Sequence, residues 1–468
     1  MTEEDRVVAG DPPSVVAAVP ERDTPEPTMT FREVMSVGGR MTLGVLVGLQ
    51  LLDSVDGSMF AVFAPEIRES LGITSAAIAT VGALAGVMVS LAALPLGLLG
   101  DRRRRTTIAG LCTLAWAVAA GLLGLVQNLW QVAMTRILAG IGKANEGPIQ
   151  MSILTDAYPP AGRGRVLGLH RGAQPLGIVA GPLVAALFAA VVPTGYEPWR
   201  WAFAFVAVSG LVLGVATLRL REPVRGRFEQ EALPGGEPLP DLSARPKQGR
   251  GLDPGARPLP LSAAFARLRK IRTFSFVMIA LGAFGLCLTT VPIYLNLILE
   301  DHLGQGTTAR GMIAAVGALG GLAGAVLGGI YSDRLFRRSP TASLYLAGGA
   351  LAVLGIGFAV QAYSPNVATF VVSGMLTQAM TFAGLVPLSL IVASVTPPEL
   401  RATAFALVGL YLAVVGGLGG ALLTGLAERL WGAQAAIAVV APAASIVAGL
   451  MLVRGAAHLL HDIRANHR

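Results

Sequence analysis

Charge is scarce in this chain. Only 14% of its 468 residues are Asp, Glu, Lys or Arg, and 53% are hydrophobic. Soluble domains carry about 25% charge, so an ordinary water-soluble globule is excluded. Cysteine is nearly absent, and Cys112 and Cys287 both lie in apolar stretches, which gives no support to a disulfide framework. The histidines are scattered without metal-ligand spacing. A phosphate loop is missing too: Gly142-Lys143 has Ile137 where the nucleotide-binding pattern needs glycine, which disfavours an ATP-driven pump. The first 38 residues lack the basic-then-apolar layout of a secretory leader and are rich in Pro, Asp, Glu and Val. They read as a disordered cytoplasmic tail over 1–38. The net charge of +8 does not point to nucleic acid, because the basic residues sit in short blocks between apolar runs.

What the chain has in abundance is apolar runs long enough to cross about 30 Å of hydrocarbon. Twelve are expected, near 41–64, 75–98, 106–126, 130–154, 166–192, 200–218, 273–298, 309–331, 342–362, 367–394, 402–424 and 434–453. The fold class is therefore an all-α membrane protein of twelve transmembrane helices in two six-helix bundles, 39–220 and 273–454. With both termini in the cytoplasm, only Arg68, Arg200, Arg310 and Arg429 of the 36 basic residues fall in outer loops, which fits the positive-inside rule. The stretch 221–272 breaks the rhythm. Its Pro- and Gly-rich part, 221–260, reads as a flexible cytoplasmic linker. Leu261, Phe265 and Leu268 then share one face, as in a short helix on the inner membrane surface. Residues 455–468 form a cytoplasmic C-terminal tail.

The halves repeat. Gly97-Leu-Leu-Gly-Asp101-Arg102-Arg-Arg-Arg105 follows the second span, and Gly329-Ile-Tyr-Ser-Asp333-Arg334 follows the eighth. Pro159-Pro160-Ala-Gly-Arg163 and Pro397-Pro398-Glu-Leu-Arg401 follow the fourth and tenth. Matched loops argue for a duplicated six-span unit.

Five ionisable residues lie inside these spans: Asp53 and Asp56 in the first, Arg136, Lys143 and Glu146 in the fourth. A charge at bilayer depth costs at least about 2.5–3.5 kcal/mol, so such residues face a protein interior or a watery cavity. Shifted by one repeat, Arg136, Lys143 and Glu146 map onto Gly374, Thr381 and Gly384. The span is thus built once without charge, so packing alone does not demand these residues. A carboxylate balanced between burial, which favours its proton, and a cation, which removes it, can link proton movement to helix movement. Asp56, Arg136, Lys143 and Glu146 are the expected coupling core. Asp53 lies nearer the cytoplasmic end and is expected to be the outlier. A static buried ion pair is the competing reading. Thr289, Tyr294, Asn296, Thr377, Gln378, Thr381 and Tyr411 offer uncharged polar lining from the second half, facing Arg136, Lys143 and Glu146. His170, beside Arg171, reads as interfacial.

The whole chain from about residue 40 resembles the major facilitator superfamily. Gly97, Asp101, Arg102 and Arg105 match its inner-loop signature, with Arg104 and Thr106 as departures. Arg136-Ile-Leu-Ala-Gly140-Ile-Gly142 is similar to the fourth-span signature of proton-coupled members, and Gly177-Ile-Val-Ala-Gly181-Pro182 to the fifth-span pattern of exporters. From Asp56 to Arg105 the chain looks most like spinster-like transporters of lysophospholipids and sphingolipids. Gly57 and Lys143 depart from that family's pattern. The resemblance implies alternating access, with Gly97, Asp101, Arg102, Arg105, Asp156, Asp333 and Arg334 as a conformational latch. The expected function is proton-coupled transport of an amphipathic lipid-like or drug-like molecule, as export, with no enzyme activity and no cofactor beyond the proton gradient. A facilitator or exchanger of a small organic anion and a non-transporting sensor or scaffold are the alternatives. The expected setting is a bacterial inner membrane, as a monomer among lipids, with a small amphipathic substrate as partner.

Overall fold

The computed structural model describes residues 29–225, 261–397 and 400–466. Among them every long element is a helix. Eleven helices are long and apolar enough to cross a membrane. The twelfth span is the fourth in order, and it is broken. It runs Leu129–Lys143, then a π-turn over Glu146–Gln150, then Met151–Ala157. Pro148 has no N–H to give the helix ladder, and the wider turn absorbs that loss. Asn145 Nδ2 donates to the Gly142 carbonyl at 2.7 Å, and Gln150 Nε2 donates to Asn145 Oδ1 at 2.9 Å, so the break is tied internally. The eleventh span is also relaxed into a π-segment, Leu412–Leu418, where Gly416 meets Gly285.

Spans one to three are Arg40–Val62, Ser75–Arg102 and Arg105–Leu123; five and six are Pro160–Val191 and Pro198–Leu218. Spans seven to ten are Arg272–Asp301, Thr307–Arg338, Pro340–Ala362 and Val367–Val395; the eleventh covers Arg401–Trp431 and the twelfth Ala433–Asn466. The end that bears the basic loops is the inner end, and the opposite one is the outer end.

Small residues set the helix crossings, because without a side chain two backbones can approach closely. A Cβ on Gly140 would lie 2.4 Å from the Ala85 carbonyl oxygen of span two, and one on Gly142 2.6 Å from that of Cys112 in span three. Both glycines of the proton-coupled signature thus wedge span four between its neighbours. Gly177 and Gly181 do the same for span five, against the Leu51 and Val55 carbonyls of span one. In the second half, Gly320 and Gly324 press on Met375 and Ala379 of span ten. The halves meet where Gly311 abuts Pro182 and Ala186, and where Gly425 abuts Ala76.

Three boundaries differ from the sequence reading. Residues 455–466 are not tail but the end of the twelfth helix, with Ala456 and Leu459 buried and Asp462 accepting from the Thr273 N–H at 2.8 Å. The chain before residue 39 is not all tail: Phe31–Gly38 forms a helix, α1, with a Thr30–Glu33 capping box. Val34 is buried against Gly162, and the Tyr158 hydroxyl donates to the Gly39 carbonyl at 2.6 Å. The linker begins later than 221, because Glu222 and Arg225 are held by the loop after span two. Residues 226–260 lie outside the described ones. A surface helix follows over Leu261–Arg269, with Leu268 buried and Phe265 exposed.

Gly140→Val is expected to abolish the monodisperse yield, whereas Gly349→Ala, whose added Cβ meets nothing within 4 Å, leaves it unchanged. Size-exclusion profiles of the two variants check this. Equal profiles would show that span four has room to move.

Candidate substrate and proton site

Asp53 and Asp56 lie three apart on span one and share a face. Span four places two cations opposite. Lys143 Nζ sits 2.5 Å from Asp53 Oδ1 and 2.6 Å from Asp56 Oδ2, and donates to the Asp53 carbonyl at 3.3 Å. Asp53 Oδ1 makes no aligned hydrogen bond, so that contact is an ion contact. Arg136 Nη1 reaches Asp56 Oδ2 at 3.5 Å, and its guanidinium lies 4.4 Å above the Phe60 ring. Lys143 is 5.1 Å from the Trp116 ring. The Asp56 side chain is 1% exposed, that of Arg136 5% and that of Lys143 10%.

This arrangement reverses one expectation. Asp53 is not an outlier; it touches Lys143 directly, while remaining 30% exposed. Glu146 lies at the edge of that cluster, within electrostatic reach of Asp53 and Lys143 but with its ion pair elsewhere. The π-turn swings it towards span five, where Arg171 Nη1 donates to it at 3.2 Å. Sequence alone gives no sign of Arg171 as a partner, since nothing local links it to Glu146. His170 is not interfacial either. It is fully buried, 3.4 Å from Gln150 Oε1.

Between the halves lies a cavity of about 480 Å³. Its first-half wall includes Asp53, Phe60, Arg136 and Lys143, with Asp56 hidden behind the two cations. The second half contributes Thr289, Asn296, Thr377, Gln378 and Thr381 among apolar residues such as Ile293, Phe358 and Phe382. Tyr294, Tyr411 and Glu146 do not line it. The Tyr294 hydroxyl instead donates to Glu428 at 2.7 Å, and the Tyr411 ring packs on Gly282 between spans seven and eleven. Pro182 and Pro292 are at the wall.

At the inner end, Arg105 is the buried anchor. It binds Asp156 and the Ser152 hydroxyl, and its Nε donates to Glu222 at 2.9 Å. The backbone N–H and hydroxyl of Thr106 also donate to Glu222, at 2.9 and 2.8 Å, at the start of span three. Burial pushes the Glu222 carboxyl up, but hydrogen bonds from Thr106 and Arg105 outweigh it and hold it below 4.5. A depressed carboxylate stabilises above its free value, so this knot is intact at neutral pH and loosens only as the medium falls below that value. Arg102 is exposed, so Arg105 takes the place expected for it. Gly97 lies against Pro148 at the break in span four. The side chains of Asp101, Asp333 and Arg334 lie outside the described ones.

The outer end carries a group that sequence reasoning missed. Arg310, fully buried, binds Glu66 of the other half and lies 3.3 Å from Glu300 Oε1. Arg68 forms two hydrogen bonds with Asp301, at 3.1 and 3.2 Å. In the sequence Arg68 and Arg310 are no more than outer-loop charges. Their acidic partners across the halves are more than two hundred positions away, so only the folded topology pairs them.

The family model of the Major Facilitator Superfamily matches residues 46–420. The chain belongs to this superfamily. Its relatives include a probable L-galactonate transporter of Escherichia coli, 26% identical over 61% of this chain and 60% of that protein. Protein spinster of Drosophila melanogaster is 27% identical over 72% of this chain and 51% of that protein. The chain thus spans about half to three fifths of the length of these two. A bacterial homologue of the human lysosomal transporter Spinster, solved inward-facing and unoccupied, superposes with a TM-score of 0.71 at 19% identity, covering 91% of this chain and 97% of that one. The chain therefore shares its fold with that structure, and its charged core lies where the two halves enclose their cavity.

Asp56→Ala leaves two buried cations short of a partner, which costs about 3–5 kcal/mol in comparable buried pairs. The melting midpoint is expected to fall, and Asp56→Ala/Lys143→Met to regain only part of the loss, because Arg136 still lacks its carboxylate. An unchanged midpoint in the single variant would mean that the pair carries no folding energy.

Proposed function

We propose that this transporter is a proton-coupled carrier of an amphipathic organic anion. One observation carries the reading: Arg136 and Lys143 line the cavity while Asp56, the carboxylate they share, is buried behind, and Asp53 pairs with Lys143 alone. With Asp56 charged, the cations are occupied. A proton on Asp56 releases Arg136 and leaves Lys143 to Asp53 alone, so their N–H groups are free to donate to a carboxylate or phosphate. The anion's body then lies on Phe60, Ile293, Phe358 and Phe382, with Asn296 and Gln378 as polar contacts.

The sign of the substrate's charge decides the direction of coupling. An anion binds together with the proton, so the two travel as a symport. A cation would compete with the proton for Asp56, and would be exchanged against it as in drug export. Two cations against one carboxylate, Asp53, in the cavity wall favour the anion, and with it uptake down a proton gradient rather than the export expected from sequence. The likeness to a probable L-galactonate transporter supports an acid substrate. The likeness to protein spinster and the apolar second half of the cavity support a longer body, as in a lysophospholipid. Both are anionic heads on a body, and the assay separates them.

Proteoliposomes made acidic outside are expected to accumulate sugar or aromatic acids, or lysophosphatidic acid, whichever class is carried. Arg136→Gln should lower uptake at least tenfold. Asp56→Asn, which holds the neutral form, should keep exchange of the anion at equilibrium yet lose accumulation driven by the gradient. Uptake that ignores pH, or that is inhibited by organic cations and not by anions, would remove the proposal.

A further inference from the structure

Outside the central cavity, a second hollow of about 380 Å³ opens between α1, span one and span five. Its walls are apolar: Phe31 and Met35 from α1, Leu43 and Val47 from span one, and Leu169 from span five. Two arginines border it, Arg32 on α1 and Arg40 at the first residue of span one. Both are exposed, and among the described residues neither forms an ion pair. Gly44 forms part of the wall, and a Cβ added there would meet nothing within 4 Å.

The hollow is built rather than incidental. The capping box of α1, the burial of Val34 against Gly162 and the Tyr158–Gly39 hydrogen bond hold the helix as a fixed wall. Phe31, Val37 and Met41 expose large apolar side chains beside it. Exposed apolar groups next to unpaired arginines, at the mouth of a membrane span, are the surface of a helix lying in the headgroup layer. The position is the end that the basic loops mark as cytoplasmic.

We propose that this groove binds one anionic phospholipid of the inner leaflet. Its phosphate lies between Arg32 and Arg40, and an acyl chain runs over Gly44 towards Val47 and Leu169. Charge complementarity selects this occupant over a neutral lipid: each basic residue near an anionic surface contributes about 1 kcal/mol, and here two converge on one apolar slot. The lipid would tie α1 to spans one and five of the same half. It does not depend on what the transporter carries.

The test uses the purified full chain in neutral detergent. Phosphatidylglycerol and phosphatidylcholine are titrated in turn, and bound lipid is read by native mass spectrometry. The wild type is expected to retain one phosphatidylglycerol in preference to phosphatidylcholine. Arg32→Ala/Arg40→Ala should bind it roughly thirtyfold more weakly, from two lost basic contacts. Gly44→Trp should exclude it by filling the slot, with an unchanged melting midpoint that shows the fold intact. Equal retention of the two lipids, or retention unaffected in both variants, would overturn the proposal.

Discussion

A carboxylate buried at membrane depth must be neutralised, either by a cation or by a proton. Asp56 has two cations. At 1% exposure it lies under the Lys143 ammonium and the Arg136 guanidinium, and it is the point on which spans one and four are balanced. The glycines of the chain serve that contact. Gly140 and Gly142 seat span four between spans two and three, and Gly177 and Gly181 press span five onto span one. Replacing any of them with a larger residue would move the charges before it moved anything else. The break at Glu146–Gln150 belongs to the same design, since it frees the inner part of span four from the geometry of the part that carries Arg136.

Span one connects this core to the outer clasp. Span one ends at Val62, and Glu66 lies just beyond it, in the short helix Ala64–Leu71. At that point Glu66 and Arg68 reach across to Arg310 and Asp301 of the other half. Every cross-half ion pair among the described residues lies at this outer end, which holds the halves together there. The inner knot of Arg105, Asp156 and Glu222 joins elements of the first half only. A change in the pairing of Asp56 that shifts span one along its axis thus acts directly on Glu66 and Arg68. Two discrete arrangements of these pairs are what alternating access requires.

Much of this was legible without coordinates. Long apolar runs, the basic loops and the repeated Gly-x-x-x-Asp-Arg stretches prescribe twelve spans in two bundles, because the bilayer leaves the chain few alternatives. Intramembrane charge located Asp53, Asp56, Arg136 and Lys143 for the same reason. Side-chain direction was not legible. Tyr294 and Tyr411 look like cavity residues by composition, yet both turn into helix contacts, since a helix carries polar groups on every face and only packing chooses among them. The Arg171 partner of Glu146 was not legible because Glu146 opens a π-turn, and where such a turn aims its first residue has no sequence period. The outer clasp was invisible for a third reason: its partners come from opposite halves, and no local pattern reports on a contact of that range.

The proposed cycle loads the anion on Arg136 and Lys143 as a proton loads on Asp56. Proton uptake on substrate binding measures it most directly. L-galactonate and lysophosphatidic acid would each be added to weakly buffered purified transporter at pH 7 with a pH-indicating dye. The account predicts that the anion that binds draws about one proton per molecule from the medium, and that Asp56→Asn binds it with no proton change. Proton release on binding, or the same uptake in Asp56→Asn, would contradict it.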